Sequence, residues 1–212
     1  MKYLLLNEYP AHFGANGRYN ISSVENQGTF SLNDEKACSE CRGQNKQQCS
    51  EEDADRHMLL HADHPVTVVD IEGFLNQFDG KKAALKDRCD RMLYDNNKIV
   101  LVDFYCGQQK FVPPYSNTQG EQPGKLAKAR LQINSTVEKI CEVPSINEKM
   151  DEYASKEGIF ACRIKQPTEV TTLPGAVAMQ TFLNSIPQVK GYTIIAHGFK
   201  FRMLEYPETY EW

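Results

Sequence analysis

The sequence predicts an α/β protein in which a mixed sheet is flanked by helices, with a small cysteine- and histidine-rich insertion. Three observations carry that prediction. Apolar β-branched runs, Val66-Thr67-Val68-Val69 and Ile99-Val100-Leu101-Val102, are too short for helices and fit buried strands. Helical spacing of apolar residues occurs from Asp70 to Phe78 and from Lys125 to about Cys141. The two kinds of segment alternate along the chain, which favours a sheet with helices packed on it over a bundle or a sandwich.

The elements follow in order. Tyr3-Leu4-Leu5-Leu6 reads as a short strand, and Gly14, Asn16-Gly17 and Asn26-Gln27-Gly28 read as turns. A helix is expected from Ser50 to His61, with Ser50 as its cap and Glu51, Glu52 and Asp53 favouring its positive end. After Val66–Val69, a second helix begins near Asp70 and carries Ile71, Phe74, Leu75 and Phe78. Cys89–Tyr94 and Lys98–Tyr105 are strands joined by the turn Asp95-Asn96-Asn97, which makes a hairpin. Residues 107–124 form a Gly/Pro/Gln-rich loop. The long helix from Lys125 has Leu126, Ala129, Ile133, Val137 and Ile140 along one face, and Pro144 ends it. Gly158–Ile164 is a buried strand, 175–186 a helix, and Tyr192–Ala196 and Phe199–Leu204 are strands. The aromatic segment Tyr206–Trp212 is expected to pack on the sheet or on a partner.

Composition narrows the function. The 212 residues suit one α/β domain, 1–212, with globular proportions of hydrophobic and charged residues. A net charge of -4 weighs against a protein coated all over in nucleic acid, but charge is segregated. Residues 81–130 hold ten Lys/Arg against five Asp/Glu, while 1–64 hold six against ten. The hairpin and long helix are therefore the side expected to meet a polyanion. No apolar run reaches the 18–20 or so residues that span a bilayer, so no membrane partner is expected. The opening Met1–Glu8 is too short for a signal-peptide core, and the expected compartment is the cytoplasm.

Cysteines suggest a metal. Cys89, Cys106, Cys141 and Cys162 lie among apolar neighbours and read as buried thiols. Cys38, Cys41 and Cys49 crowd into the polar insertion at 38–64. Cys38 and Cys41 form a C-x-x-C knuckle, fifteen residues separate Cys41 from His57, and His61 follows four further on. That spacing suits a structural zinc site, as Cys₂His₂ or as Cys₃His with Cys49 and either histidine. An i, i+4 histidine pair on one helix face reaches a single ion, though the segment lacks the apolar core of a DNA-reading finger. The competing reading is a polar loop with free thiols.

The remaining constellation is acidic. Glu72 sits in a helix, Asp90 opens one strand of the hairpin, and Asp103 follows the apolar run of the other. Carboxylates on adjacent antiparallel strands can converge on one hard cation, which polarises a phosphodiester and lowers the pKa of bound water. This helix, strand, turn, strand and long helix resembles the PD-(D/E)XK nuclease superfamily over about Val68 to Ile164. The resemblance implies a restriction-endonuclease-like core at 68–164, with the strand carboxylates holding Mg²⁺ or Mn²⁺. It implies a nucleic-acid substrate and, from where divergent members occur, a restriction or phage-defence setting. In that family a lysine two residues after the second carboxylate helps activate water, and here that position is Tyr105. Lys125 or Lys128 on the following helix is the candidate replacement. The alternative is an inactive nuclease-fold subunit that binds a partner protein.

Overall fold

The computed structural model describes residues 1–33, 57–108, 111–165 and 191–212. Four α-helices lie among them: α1 (Lys2–His12), α2 (Ile71–Asn76), α3 (Lys125–Cys141) and α4 (Pro144–Asp151). The main sheet is formed by β1 (Ser23–Leu32), β2 (Met58–Asp70), β3 (Arg91–Tyr94), β4 (Lys98–Gln108), β7 (Ser155–Lys165), β8 (Thr193–Ile194), β9 (Lys200–Glu205) and β10 (Thr209–Glu211). Its order is β1-β2-β3-β4-β7-β9-β8, with β10 beside β2. β1 to β4 pair antiparallel in succession, β4, β7 and β9 run parallel, and β8 is antiparallel to β9. The mixed sheet of the sequence reading is present. A separate hairpin of β5 (Tyr115–Asn117) and β6 (Gly120–Gln122) stands in the segment read as a loop.

β4 is the central strand, and its sequence shows why. Ile99, Val100, Leu101, Val102 and Phe104 are all buried, because alternate residues enter cores on opposite sheet faces. Ile99 and Leu101 pack with Ala129, Ile133, Val137 and Ile140 of α3 and with Phe160 of β7. Val100, Val102 and Phe104 pack with Val66, Val68, Leu93, Ile159 and Ala161 on the other face. α3 therefore lies against one defined face of the β3–β4 hairpin.

Several expectations are corrected. Tyr3–Leu6 is helical: Leu5 and Tyr9, one turn apart, are the fully buried pair of α1, and Tyr9 packs edge-on to Phe74 and Phe78. Asn26-Gln27-Gly28 is a bulge within β1, where the register to β2 shifts and Gly28 takes φ +77°. The end of the expected helix Ser50–His61 is extended, because Met58, Leu60 and Ala62 alternate into one core as a strand requires. Pro144 stands at the start of α4, where its missing N–H costs nothing. Ala196, expected at the end of a strand, instead opens a single 3₁₀ turn, Ala196–Gly198. The expected helix at 175–186 lies outside the described residues.

Candidate functional site

β3 and β4 meet in the register Arg91↔Val102, and the Asp90 N–H donates to the Val102 carbonyl at 3.0 Å. That bond sets Asp90, just outside β3, against Val102, and its carboxylate reaches on to Phe104, so Asp90 bonds to the residues on either side of Asp103. Asp103 has the parity of Leu101 and lies on the face covered by α3. Asp103 is buried at 7% exposure, and Asp90 is half-buried with its Oδ2 accepting the Phe104 N–H at 2.7 Å.

The neighbouring thiol registers both carboxylates. Burial pushes the Cys89 thiol well above its ordinary range, a hydrogen bond with Thr136 opposes this, and the charges of Asp103 and Asp90 push it further up. The two carboxylates thus lie at one corner of the molecule, beside Cys89.

Neighbouring elements hold that corner in place. The Thr136 hydroxyl accepts the Cys89 N–H at 3.0 Å and donates to the Gln132 carbonyl at 2.8 Å. Gln132 Nε2 in turn donates to the Arg88 carbonyl at 2.8 Å, so α3 grips the chain just before Asp90. From the other side, the Asp90 carbonyl accepts the Glu72 N–H at 3.3 Å and Arg91 Nη1 at 3.0 Å. Arg91 also pairs with Asp70 Oδ1 at 2.9 Å, and the Asp70 carboxylate caps α2 at the Gly73 N–H. A side chain at Gly73 would collide with that carboxylate.

The candidate residues separate into three groups. Asp90 and Asp103 form a pair. Glu72 stands beside it on α2 and reaches it through its backbone; among the described residues no three His, Cys, Asp or Glu side chains converge as a metal site. Of the two lysines, Lys125 is over the motif: its Nζ is 5.7 Å from the centre of the Tyr105 ring. Lys128, one turn along, is exposed.

Of the candidate zinc ligands, the two histidines are among the described residues. Cys38, Cys41 and Cys49 lie outside the described residues. His57 precedes β2 and is buried with its ring 5.8 Å from that of Phe104. His61 is within β2, its Nδ1 2.8 Å from the Thr29 hydroxyl and its Nε2 3.4 Å from Asp63 Oδ1. The helix face that was to bring the two histidines to one ion is therefore replaced by extended chain.

Sequence reading missed Gln132 and Thr136, whose i, i+4 spacing of polar residues on the buried flank of α3 was the available signal. It also gave Asp95 only a turn's role. Asp95 Oδ1 accepts the N–H groups of Asn97 and Lys98, each at 2.7 Å, and Oδ2 accepts Trp212 Nε1 at 2.7 Å and lies 2.6 Å from His64 Nε2. No family model, curated protein or solved structure matches the chain.

Proposed function

We propose that the protein is a divalent-metal-dependent nuclease of the PD-(D/E)XK type, acting on nucleic acid through Asp90 and Asp103. The observation that carries this reading is that Asp90 is bonded to the residues on either side of Asp103, which brings the two aspartates together. The sheet supports it coarsely, since an antiparallel hairpin followed by a helix and a parallel strand is the succession on which the resemblance rests.

The residues fit one kind of ion. Mg²⁺ is held by one or two carboxylates and completes its shell with waters, so a pair suffices where a cage of protein ligands is absent. Mn²⁺ accepts the same oxygen donors. A bound cation would polarise the phosphate and neutralise the like charges of the pair. Glu72 holds the Asp90 backbone in this reading, and the exposed Lys81, Lys82, Lys86, Lys128 and Arg130 offer positive charge to a phosphate backbone. Zinc remains a separate proposal on Cys38, Cys41 and Cys49, tested by elemental analysis of the protein before and after a Cys38/Cys41 double substitution.

The second reading, an inactive subunit that binds a protein partner, is favoured by Tyr105 at the position of the strand lysine and by the burial of Asp103. One experiment separates the two. Plasmid DNA, linear duplex and single-stranded RNA are incubated with the protein and Mg²⁺ or Mn²⁺, alongside Asp90→Ala and Asp103→Ala. Metal-dependent cleavage lost in both variants supports the nuclease. Absence of cleavage and of low-salt binding to any of the three supports the subunit.

A further inference from the structure

Cations and aromatic rings alternate across the sheet face opposite α3. On β9, Phe201 enters the core under α3 and Leu204 the core of the other face, so Lys200 and Arg202 share the side of Leu204. Lys98 of β4 has the parity of Val100 and Val102 and lies on that side too. Lys200 Nζ stands 5.2 Å from the centre of the Tyr192 ring, and Ile194 of β8 is directly across from Lys200. Arg202 Cζ is 5.1 Å from the centre of the Tyr210 ring. Lys98 Nζ is 4.6 Å from that same ring and 5.1 Å from the ring of Trp212. Each distance is within the range at which a cation is held on an aromatic face.

β7 joins the two ends of this strip. Its Glu157 carboxylate is 3.4 Å from both Lys98 Nζ and Arg202 Nε, and Glu157 is in register with Lys200. Glu157 therefore balances one of three cations. Alternation turns Glu205 of β9 away from the side of Lys200 and Arg202, and Glu211 of β10 away from the side of Tyr210. Next to Trp212, the Asp95 carboxylate is taken up by the indole, His64 and two backbone N–H groups. The outer end of the strip is open. Tyr192 is 60% exposed and Ile194 57%, with the exposed Lys200 between them and β7. Large apolar side chains left open beside charged ones mark a contact surface.

We propose that the strip from Tyr192 to Trp212 binds single-stranded nucleic acid. Lys200 backs one side of the Tyr192 ring, and a base stacks on the other; Lys200 and Arg202 meet the phosphates. The surplus of positive charge selects a polyanion, and an exposed ring selects one whose bases are free to stack. Asp103 is on the opposite face of the sheet, so this surface does not depend on the nuclease reading.

The test is binding without cleavage. Oligo-dT and oligo-U of about fifteen nucleotides, long enough to cover such a surface, are titrated into the full chain at low salt with no added metal. Anisotropy of a dye on the oligonucleotide gives Kd, and emission of Trp212, the only tryptophan, reports contact at the far end. Saturable binding with a change in that emission is expected. Tyr192→Ala should weaken Kd about tenfold, the loss of one stacked base, while Tyr192→Phe should not. Lys200→Gln should flatten the slope of log K against log salt by about 0.7, one phosphate contact on a single strand. Both positions are exposed, and melting curves should match that of the native chain. Failure to bind either oligonucleotide overturns the strip, as does unchanged affinity in Tyr192→Ala, constant Trp212 emission at saturation, or equal affinity for a duplex of the same length. A native dimer that Tyr192→Ala turns into a monomer in sedimentation, with no oligonucleotide bound, gives the strip to a second copy of this chain and overturns the proposal. Oligonucleotide binding by a chain that never cleaves upholds the strip and removes the nuclease; cleavage without such binding does the reverse.

Discussion

The β3–β4 hairpin uses aspartate differently at its two ends. At the turn, Asp95 accepts bonds from two backbone N–H groups and the Trp212 indole and pairs with His64. Burial alone would raise its carboxyl, but the bonds from Trp212, His64, Asn97 and Lys98 together hold it down to about 2. At the open end, Asp90 bonds to the residues on either side of Asp103, and a buried thiol beside them feels both carboxylates. One end therefore spends its carboxylate on the turn, and the other gathers two carboxylates around a buried thiol.

That contrast can be broken from either end. Asp103→Asn is expected to lower metal-dependent cleavage by about a thousandfold or more, since a ligand to the metal is worth several kcal/mol to the transition state. A large loss of stability without loss of cleavage would reverse the roles assigned here. Asp95→Ala is expected to do the opposite. It should cost about 3 kcal/mol in a denaturant titration, as charged hydrogen bonds are lost, and leave cleavage per folded molecule unchanged.

Acid sharpens the same distinction. The folded-state pKa of Asp95 is depressed from 3.8 to about 2, so its contribution is complete above the unfolded value and is lost as pH falls through the folded one. About 2 kcal/mol should disappear between roughly pH 4 and pH 2 in the native chain and not in Asp95→Ala. Comparison of the two stability–pH curves measures this directly. The smallest effect belongs to the support of the open end. Thr136→Val strands the buried Cys89 N–H and should cost about 1 to 2 kcal/mol, which Thr136→Ser restores. Equal stabilities for Val and Ser would remove Thr136 from the account.

The hairpin and the long helix were legible because each carries one strong period. α3 begins and ends where its apolar spacing predicted, and the Asp95 turn lies between strands whose runs are unmistakably buried. Elsewhere a real signal was overridden by a local one. Tyr3–Leu6 is apolar enough for a strand, and the i, i+4 pair Leu5 and Tyr9 decides for helix only once its partners Phe74 and Phe78 are known. Met58, Leu60 and Ala62 alternate as a strand should, but the acidic run from Glu51 invited a helix that carried through His61. Pro144 is ambiguous by nature, since it stops one helix and starts another.

At the candidate site, the sequence named Asp90 and Asp103, and the hairpin between them accounts for their nearness. It did not show that Asp90 would lie outside β3 and bond to Val102 and Phe104, because a one-residue offset at a strand end leaves no local pattern.

The seating of β10 beside β2 has a consequence in time. The β3–β4 pairing joins neighbours in sequence, and contacts of that kind form within microseconds. Thr209 pairs with Leu59 and Glu211 with His61, which brings together segments 150 residues apart in sequence. Pairings so distant must wait for the intervening loops to close, and they slow the whole reaction. The two aspartates are thus brought near each other early on the folding route, while Trp212 reaches Asp95 only as the last lane of the sheet is filled.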